Sequence, residues 1–389
     1  MIKGKTKILF HYSRLNIGGA EKSIVRLANF LVNNNFDVTI VLDVGEGSLE
    51  HKLDKKIDII HFFPKPWKLK IVSQKRFFRK IMFFIMYGLP IAYYSLTTYI
   101  KKRNFKKKKY DAAIISLQGL NPEFVCNYVT ARKKYIYLRN DLSKLDTIQI
   151  SINLTNFNKS LDGYLCVSKT VLDSLDAINP RYKNKAHVVY NMVDIDEINK
   201  LANQEVCPYD KTNDSEIPIL VTVCRMSDVS KAIFRQIDAA LILKNEGYKF
   251  KWYFVGDGSD LSEFKNKIIQ NGLDDCIFTV GEKKNPYPYI KHADLVCVLS
   301  NYEGLSGVVN EAKFLGRALI ATEFSGIHEQ IINRQNGLIV PNDLEGIIEG
   351  LRELLSNQEL RLMIQNNFLG SGIAENNSKL EKLVKIIAD

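Results

Sequence analysis

Short apolar runs alternate with amphipathic stretches from one end of the chain to the other. Near-continuous apolar runs fit strands buried on both faces of a parallel sheet, and the stretches between them fit crossover helices. The pattern opens with Ile8–Tyr12 as a strand, Ser13–Gly19 as a loop and Ala20–Asn33 as a helix, whose Ile24, Leu27, Ala28 and Leu31 share one face. Val38–Leu42, Ile57–Phe62, Ala112–Leu117, Tyr135–Leu138, Gly163–Val167 and Val188–Tyr190 continue a first sheet. The polar segment Leu201–Ile217, with Pro208 inside it and Pro218 at its end, reads as a linker. Strands resume at Ile219–Val223, Lys251–Val255, Ile277–Val280, Leu295–Leu299, Ala318–Ala321 and Gly337–Val340. Helices follow at Ile347–Leu355 and Glu359–Asn367, and Lys379–Ile387 is amphipathic. The expected fold class is α/β, with two Rossmann-like domains.

One segment carries the most chemistry. After the apolar run Asp294–Leu299 comes Asn-Tyr-Glu-Gly-Leu-Ser-Gly-Val-Val-Asn-Glu-Ala, in which Glu303 and Glu311 are separated by seven residues around a glycine-rich turn. A turn that opens a helix aims backbone N–H groups and a positive helix end at one point. A diphosphate fits the N–H groups of Gly304, Leu305, Ser306, Gly307 and Val308. Sugar hydroxyls fit the two carboxylates, and a nucleotide-sugar carries both kinds of group. Both glutamates are expected at a polar helix start, where truncation should cost little stability. A second glycine turn, Gly18-Gly19, lies between the first strand and first helix and lets a backbone approach a ligand. It is equally a tight strand-to-helix turn, and it lacks the G-x-G-x-x-G form of a dinucleotide site.

The stretch from His292 to Pro341 resembles the donor-binding half of the GT-B glycosyltransferases, in particular glycosyltransferase family 4. The residues that carry the likeness are the E-x7-E segment, the Ala-Asp strand before it and the Asn-Gly-Leu-Ile-Val-Pro turn after it. The resemblance extends more weakly over nearly the whole chain. It implies two Rossmann-like domains facing each other across a cleft: an acceptor-binding domain over 1–200, a linker over 201–217, a nucleotide-sugar domain over 218–370, and a final helix over 371–389 that packs back on the first domain. It also implies that Gly18 and Gly19 lie beside the donor diphosphate. Cys-Arg-Met-Ser-Asp-Val-Ser-Lys-Ala resembles the family's Gly-Arg-Leu-x-x-x-Lys-Gly signature, which assigns the leaving diphosphate to Arg225 and Lys231. Cys224 and Ala232 replace the family's glycines and the spacing is one residue longer, so the lysine assignment is the looser of the two. The Gly256-Asp257-Gly258 turn resembles a family turn but reads first as a tight β-to-α connection. Many relatives place a His after the fifth strand, where this chain has Arg139-Asn140-Asp141. Arg139 is a candidate for an acceptor phosphate; each of the three is equally a candidate helix cap, Asp141 above all.

The function implied is a retaining glycosyltransferase, a hexosyl- or N-acetylhexosaminyltransferase. It would move sugar from a nucleotide-sugar, most often UDP-linked, to a saccharide or lipid-linked saccharide in bacterial surface-polysaccharide synthesis. Glu303 with Arg225 and Lys231 would form the catalytic set, and Glu311 would hold the ribose. Two other readings stay open: a nucleotide-sugar epimerase of the same fold, and a non-catalytic partner subunit.

Charge adds a further expectation. Between Asp58 and Asp111 there is no acidic residue, only eleven lysines and three arginines, more than the net +11 of the whole chain. Trp67, Phe77, Phe78, Phe83, Phe84, Tyr87, Tyr93 and Tyr94 interleave with these cations over Lys65–Lys109, a composition suited to an anionic membrane surface. Ile81–Ile100 is uncharged, but Gly88 and Pro90 interrupt it and it lies between two strands of one sheet. No nucleic-acid motif accompanies the charge, so nucleic acid is not an expected partner. The run after basic Met1–Lys7 ends at Ser13-Arg14, so no signal peptide is expected, and the protein should be cytoplasmic and peripheral on the inner face of the membrane. The six cysteines and six histidines show no metal-ligand spacing, and no metal or other cofactor is expected.

Overall fold

The computed structural model describes residues 5–63, 89–144, 148–204, 206–209, 217–367 and 376–388. The chain divides into two units. The first comprises Met1–Val167, Leu172–Met192 and Asn376–Asp389, and the second Ser168–Val171 and Val193–Glu375.

The first unit is built on a seven-stranded parallel sheet: β1 (Lys7–Tyr12), β2 (Asp37–Val44), β3 (Asp58–Phe63), β4 (Lys109–Ile115), β5 (Thr130–Leu138), β6 (Gly163–Cys166) and β7 (Ala186–Val188). Their order is β3-β2-β1-β4-β5-β6-β7. The winding reverses between β1 and β4, and in such sheets ligands bind beyond the carboxyl ends of the strands at that reversal. β4 begins earlier than its apolar run because Asp111 accepts the Lys7 N–H at 2.7 Å, tying the charged start into the ladder. The last strand lies earlier than Val188–Tyr190, because only Ala186–Val188 reaches β6 in register.

Helix Gly19–Asn33 buries Ile24, Leu27, Ala28 and Leu31, as its 3.6-residue period predicts. It ends where Asn35 takes a left-handed conformation, φ 68°. The C-terminal helix Asn376–Ala388 belongs to this unit. It buries Leu383, Ile386 and Ile387, each contributing about 1.5–3 kcal/mol of apolar burial. The Tyr135 hydroxyl donates to the Ile386 carbonyl at 2.7 Å near its end.

The second unit carries a six-stranded parallel sheet: β8 (Ile219–Val223), β9 (Lys251–Val255), β10 (Ile277–Gly281), β11 (Leu295–Val298), β12 (Ala318–Thr322) and β13 (Leu338–Val340), in the order β10-β9-β8-β11-β12-β13. Its reversal lies between β8 and β11. Trp252, Phe254 and Phe264 are fully buried in its core, with Trp252 stacked on Phe254 at 5.3 Å between centroids. Val193, Ile198 and Ala202 are buried in the same core, so the chain changes unit at Val193, earlier than the linker expected from 201. Leu201 and Ala202 are helical, in Ile195–Ala202, and Tyr209 is buried with its hydroxyl donating to the Tyr289 carbonyl at 2.6 Å. The described part of 201–217 is therefore packed chain. Positions 205 and 210–216 lie outside the described residues, as do 65–88 of the basic interval, including Trp67, Phe77, Phe78, Phe83, Phe84 and Tyr87. No helix among the described residues is long and apolar enough to cross a membrane.

Candidate functional site

Two loops of the second unit leave the carboxyl ends of β8 and β11, the strands that flank its reversal. After β8 the chain passes through Cys224–Ser227 into the single helical turn Asp228–Lys231. After β11 it passes through Leu299–Ser306 into helix Gly307–Phe314. Asn301 joins the two loops: its N–H donates to the Ser230 carbonyl at 2.9 Å and its side chain to the Val229 carbonyl at 3.1 Å. That stitch presents Lys231 to Glu303, and the Lys231 ammonium pairs with Glu303 Oε1. Both side chains are about a fifth exposed, and Ser300 Oγ donates to the same carboxylate oxygen at 3.0 Å. Burial pulls the Lys231 ammonium down, but the attraction and hydrogen bond of Glu303 outweigh it, and the net shift is upward.

A buried chain of polar groups holds Lys231 from behind. Trp252 Nε1 donates to Thr222 Oγ1 at 3.0 Å, Thr222 Oγ1 to Gln236 Oε1 at 3.0 Å, and Gln236 Nε2 to the Lys231 carbonyl at 2.9 Å. A small cleft lies in front, lined by Cys224, Lys231, Ser300, Glu303, Ser306 and Val308 among others. Burial pushes the Cys224 thiol up to about 12, which leaves it an inert wall. Arg225 is exposed beside this loop. The Gly256–Gly258 turn presses on the backbone that carries Arg225. A Cβ at Gly256 would stand 1.8 Å from the Cys224 carbonyl oxygen, and one at Gly258 would stand 2.3 Å from that of Met226. Both are packing glycines. Ala232, where the resemblance expects glycine, adopts φ 47° and ψ 45°, the left-handed conformation that costs a side-chain-bearing residue about 1–2 kcal/mol.

On the other side of the cleft, Ser306 begins helix Gly307–Phe314 without capping it by its side chain. The Ser306 N–H is taken by Gln330 Oε1 at 2.9 Å, while Gln330 Nε2 donates to the Ser306 carbonyl and to Asn310 Oδ1. Of the amides expected to hold phosphate, that of Ser306 is therefore occupied. Those of Gly307 and Val308, in the first helical turn, have no partner inside the helix. Gly304 is buried; Gly326, at φ 78°, lies so close that a Cβ there would stand 2.3 Å from the Gly304 carbonyl. Leu305 is half-buried, and Gly307 faces open space.

Glu311 departs from the sequence expectation. It is not at a polar helix start but inside helix Gly307–Phe314, and only 5% exposed. The Tyr287 hydroxyl donates to its Oε1 at 3.4 Å, so Tyr287 is both a packing residue and a partner of the site. Glu303 departs as well, since its carboxylate holds the Lys231 cation and its truncation would strand a largely buried charge. Asn301, Gln330, Gln236 and Ser300 escaped the sequence reading. Asn301 and Gln330 reach partners in distant segments, whereas Gln236 and Ser300 bond Lys231 and Glu303 close by in sequence, and spacing carries no signal of which polar side chains meet.

The first unit places Gly18 and Gly19 at the start of its first helix. Gly18 is extended and has no side-chain capping bond; the Glu21 carboxylate folds back so that a Cβ on Gly18 would meet its Oε2 at 2.2 Å. Arg139 is 7% exposed and is not a helix cap. Its Nε donates to the Ser116 carbonyl at 2.9 Å, and one terminal nitrogen donates to Ser23 Oγ and Asn191 Oδ1, both at 3.1 Å. Asp141 does cap, accepting the Ser143 N–H at 2.8 Å.

Residues 209–368 match the family described as "Glycosyl transferases group 1", so the second unit carries a domain of that kind. Along 98% of its length the chain is 26% identical to a Campylobacter jejuni N-acetylgalactosamine-N,N'-diacetylbacillosaminyl-diphospho-undecaprenol 4-alpha-N-acetylgalactosaminyltransferase, covering 97% of that protein. It is 22% identical over 93% of its length to a second C. jejuni enzyme, an alpha-1,4-N-acetyl-D-galactosaminyltransferase acting on a diNAcBac-PP-undecaprenol-linked saccharide, covering 92% of it. Among solved structures, Anabaena HepE in complex with UDP and glucose superposes with a TM-score of 0.72 at 17% identity, over 99% of this chain and 100% of HepE. The likeness establishes the GT-B fold, and the chain is a homologue of glycosyltransferases.

Proposed function

We propose that the protein is a family 4, retaining glycosyltransferase that moves a sugar from a UDP-sugar to a lipid-linked saccharide. The observation that carries this reading is the Lys231–Glu303 pair beside the uncapped start of helix Gly307–Phe314, with Glu311 buried one turn further on. Lys231, Glu303 and the start of helix Gly307–Phe314 line one small cleft, and a second carboxylate, Glu311, is buried in the same helix; the set matches a diphosphate flanked by two polyols. In this reading Glu303 holds hydroxyls of the donor sugar and Glu311 those of the ribose. Gly307 and Val308 N–H groups take the diphosphate. Arg225 and Lys231 neutralise the charge that grows on it as the glycosidic bond breaks. With no carboxylate nucleophile evident in the first unit's sequence, the donor's own phosphate takes the acceptor proton, and substitution proceeds on the front face. The UDP bound by HepE and the undecaprenol-linked substrates of the Campylobacter relatives favour these classes of donor and acceptor.

The acceptor's lipid accounts for the basic interval. Its described end exposes Leu96, Tyr99 and Ile100 beside Lys101, Arg103 and Lys106–Lys109, an apolar patch rimmed by cations that suits the headgroup layer of an anionic leaflet. Sedimentation with anionic vesicles should be strong at low salt and fall when Lys106–Lys109 are neutralised; equal binding to neutral vesicles would remove the idea. For the donor, a thermal-shift panel of nucleotide-sugars should show stabilisation by UDP-sugars that Glu303→Gln diminishes. Stabilisation by no UDP-sugar would overturn the donor assignment.

A further inference from the structure

Two cations of the first unit are buried with no carboxylate paired to them among the described residues. Arg139 is 7% exposed and Lys379, from the C-terminal helix, 6%. Both converge on Asn191: Arg139 donates to its side-chain oxygen at 3.1 Å and the Lys379 ammonium to its backbone carbonyl at 2.9 Å. Among the described residues neither forms an ion pair with a carboxylate. The Lys379 ammonium uses one of its three donors, on a neutral carbonyl, and Arg139 donates to neutral oxygens while its guanidinium lies 4.2 Å from the centroid of the Tyr137 ring, a cation–π contact that supplies no formal charge. Burial pulls both below their ordinary values, Lys379 to about 8, which leaves it charged at neutral pH.

Charges this deep are ordinarily paired, because an unpaired buried ion is costly. Folding alone gives no reason to keep Lys379, since a methionine would fill the same space without the desolvation. Arg139 follows β5 and contacts the carbonyl of Ser116 after β4 and Ser23 of the helix after β1, which places it at the carboxyl edge where the sheet reverses. The carboxylate that acts on it at longer range is Glu21, which lies against Gly18 and adds to the field at Arg139 without forming an ion pair.

We propose that Arg139, Lys379 and Ser23, gathered on Asn191, form a second anion subsite, in the first unit, for a diphosphate ester. The anion supplies the negative charge that the fold withholds, and Glu21 is the weak internal substitute it displaces. The C-terminal helix thereby contributes a ligand-binding cation as well as apolar packing. The inference rests on the proposed glycosyltransferase reading only for the source of the diphosphate, which is either the nucleotide-sugar or a lipid-linked saccharide.

The test is calorimetric titration of the full chain with inorganic pyrophosphate at low salt. An Arg225→Ala/Lys231→Ala background removes the two cations that the proposed function assigns to the donor diphosphate. One pyrophosphate per chain should still bind. Adding Lys379→Met should weaken it at least tenfold while the melting temperature holds or rises, and adding Glu21→Gln should strengthen it several-fold. Displacement by UDP or by a short isoprenyl diphosphate then names the source. No binding in that background, binding indifferent to both added substitutions, or displacement by neither diphosphate would overturn the subsite. The thermal-shift response to UDP-sugars and its dependence on Glu303 report separately on the donor reading.

Discussion

The two units place their buried cations in opposite circumstances. In the second, Lys231 has a carboxylate in contact and a polar chain of Gln236, Thr222 and Trp252 behind it. In the first, among the described residues, Arg139 and Lys379 donate to neutral oxygens alone, and Arg139 also lies over the Tyr137 ring. The paired site is electrically complete at rest, so a ligand entering it must exchange partners: in the proposed function, Glu303 would leave the ammonium for a donor hydroxyl as the diphosphate takes its place. The unpaired site has no such exchange to make, apart from the more distant field of Glu21. The first arrangement favours selectivity, because a ligand must offer both an anion and hydroxyls. The second favours any compact anion.

Breaking the matched pair should have the largest effect. Glu303→Ala and Lys231→Ala should each lower turnover by about 10²–10³-fold, some 2–4 kcal/mol of transition-state stabilisation, and the double variant should lose much less than the sum. Melting curves should also show Glu303→Ala destabilised, because Lys231 is then left buried without its acid. Unchanged stability in Glu303→Ala would mean that the ion pair does not persist in solution. Arg225, exposed at the same loop, gives the next effect. Arg225→Ala should weaken UDP by roughly tenfold, the scale of one lost charge-assisted hydrogen bond, and leave uridine nearly unaffected. Equal losses for both, measured by calorimetry, would show that it does not read phosphate.

The unmatched side can be sharpened through pH. Lys379 is held at about 8, so between there and the unfolded lysine value near 10.4 the unfolded chain binds the proton that the folded chain has released. Burial of the charge costs its full amount below pH 8, and the cost fades as pH rises through that window. Lys379→Met should therefore be more stable than the parent at pH 7, by on the order of 1 kcal/mol after loss of the bond to Asn191, and the gain should shrink toward pH 10. A gain that did not vary with pH would disprove the buried charge. The smallest effect concerns the turn that delivers Lys231. Ala232→Gly should raise stability by about 0.5–1 kcal/mol, the relief of a left-handed alanine less the extra entropy of an unfolded glycine, as denaturant midpoints would show.

The legibility of the two units differs for the same physical reason. The candidate site of the second unit was legible because its residues lie near one another in sequence. Glu303, Gly304–Val308 and Glu311 lie within one strand-turn-helix, where period and glycine placement are readable. Even there, the exposure of Glu311 was misjudged, because burial inside helix Gly307–Phe314 depends on Tyr287, which comes from another segment. Strand positions were readable because buried parallel strands are apolar on both faces; their ends were not, because edge residues such as Lys109 and Thr130 pair through backbone alone. Arg139 stood out only as a charge after a strand. Its partners at 23, 116, 118 and 191 and its companion at 379 are assembled by the sheet order, which no local pattern encodes. Lys379 in particular read as one polar position of an amphipathic helix, and only its 6% exposure reveals a buried ion.

The most direct test of the central claim is release of UDP from a UDP-sugar panel, with and without a lipid-linked diphospho-saccharide acceptor, for the parent protein and for Glu303→Gln. The account predicts acceptor-dependent release with at least one UDP-sugar, reduced about 10²-fold or more in Glu303→Gln. Release that is absent for every donor tried, or equal in the parent and in Glu303→Gln, would contradict it.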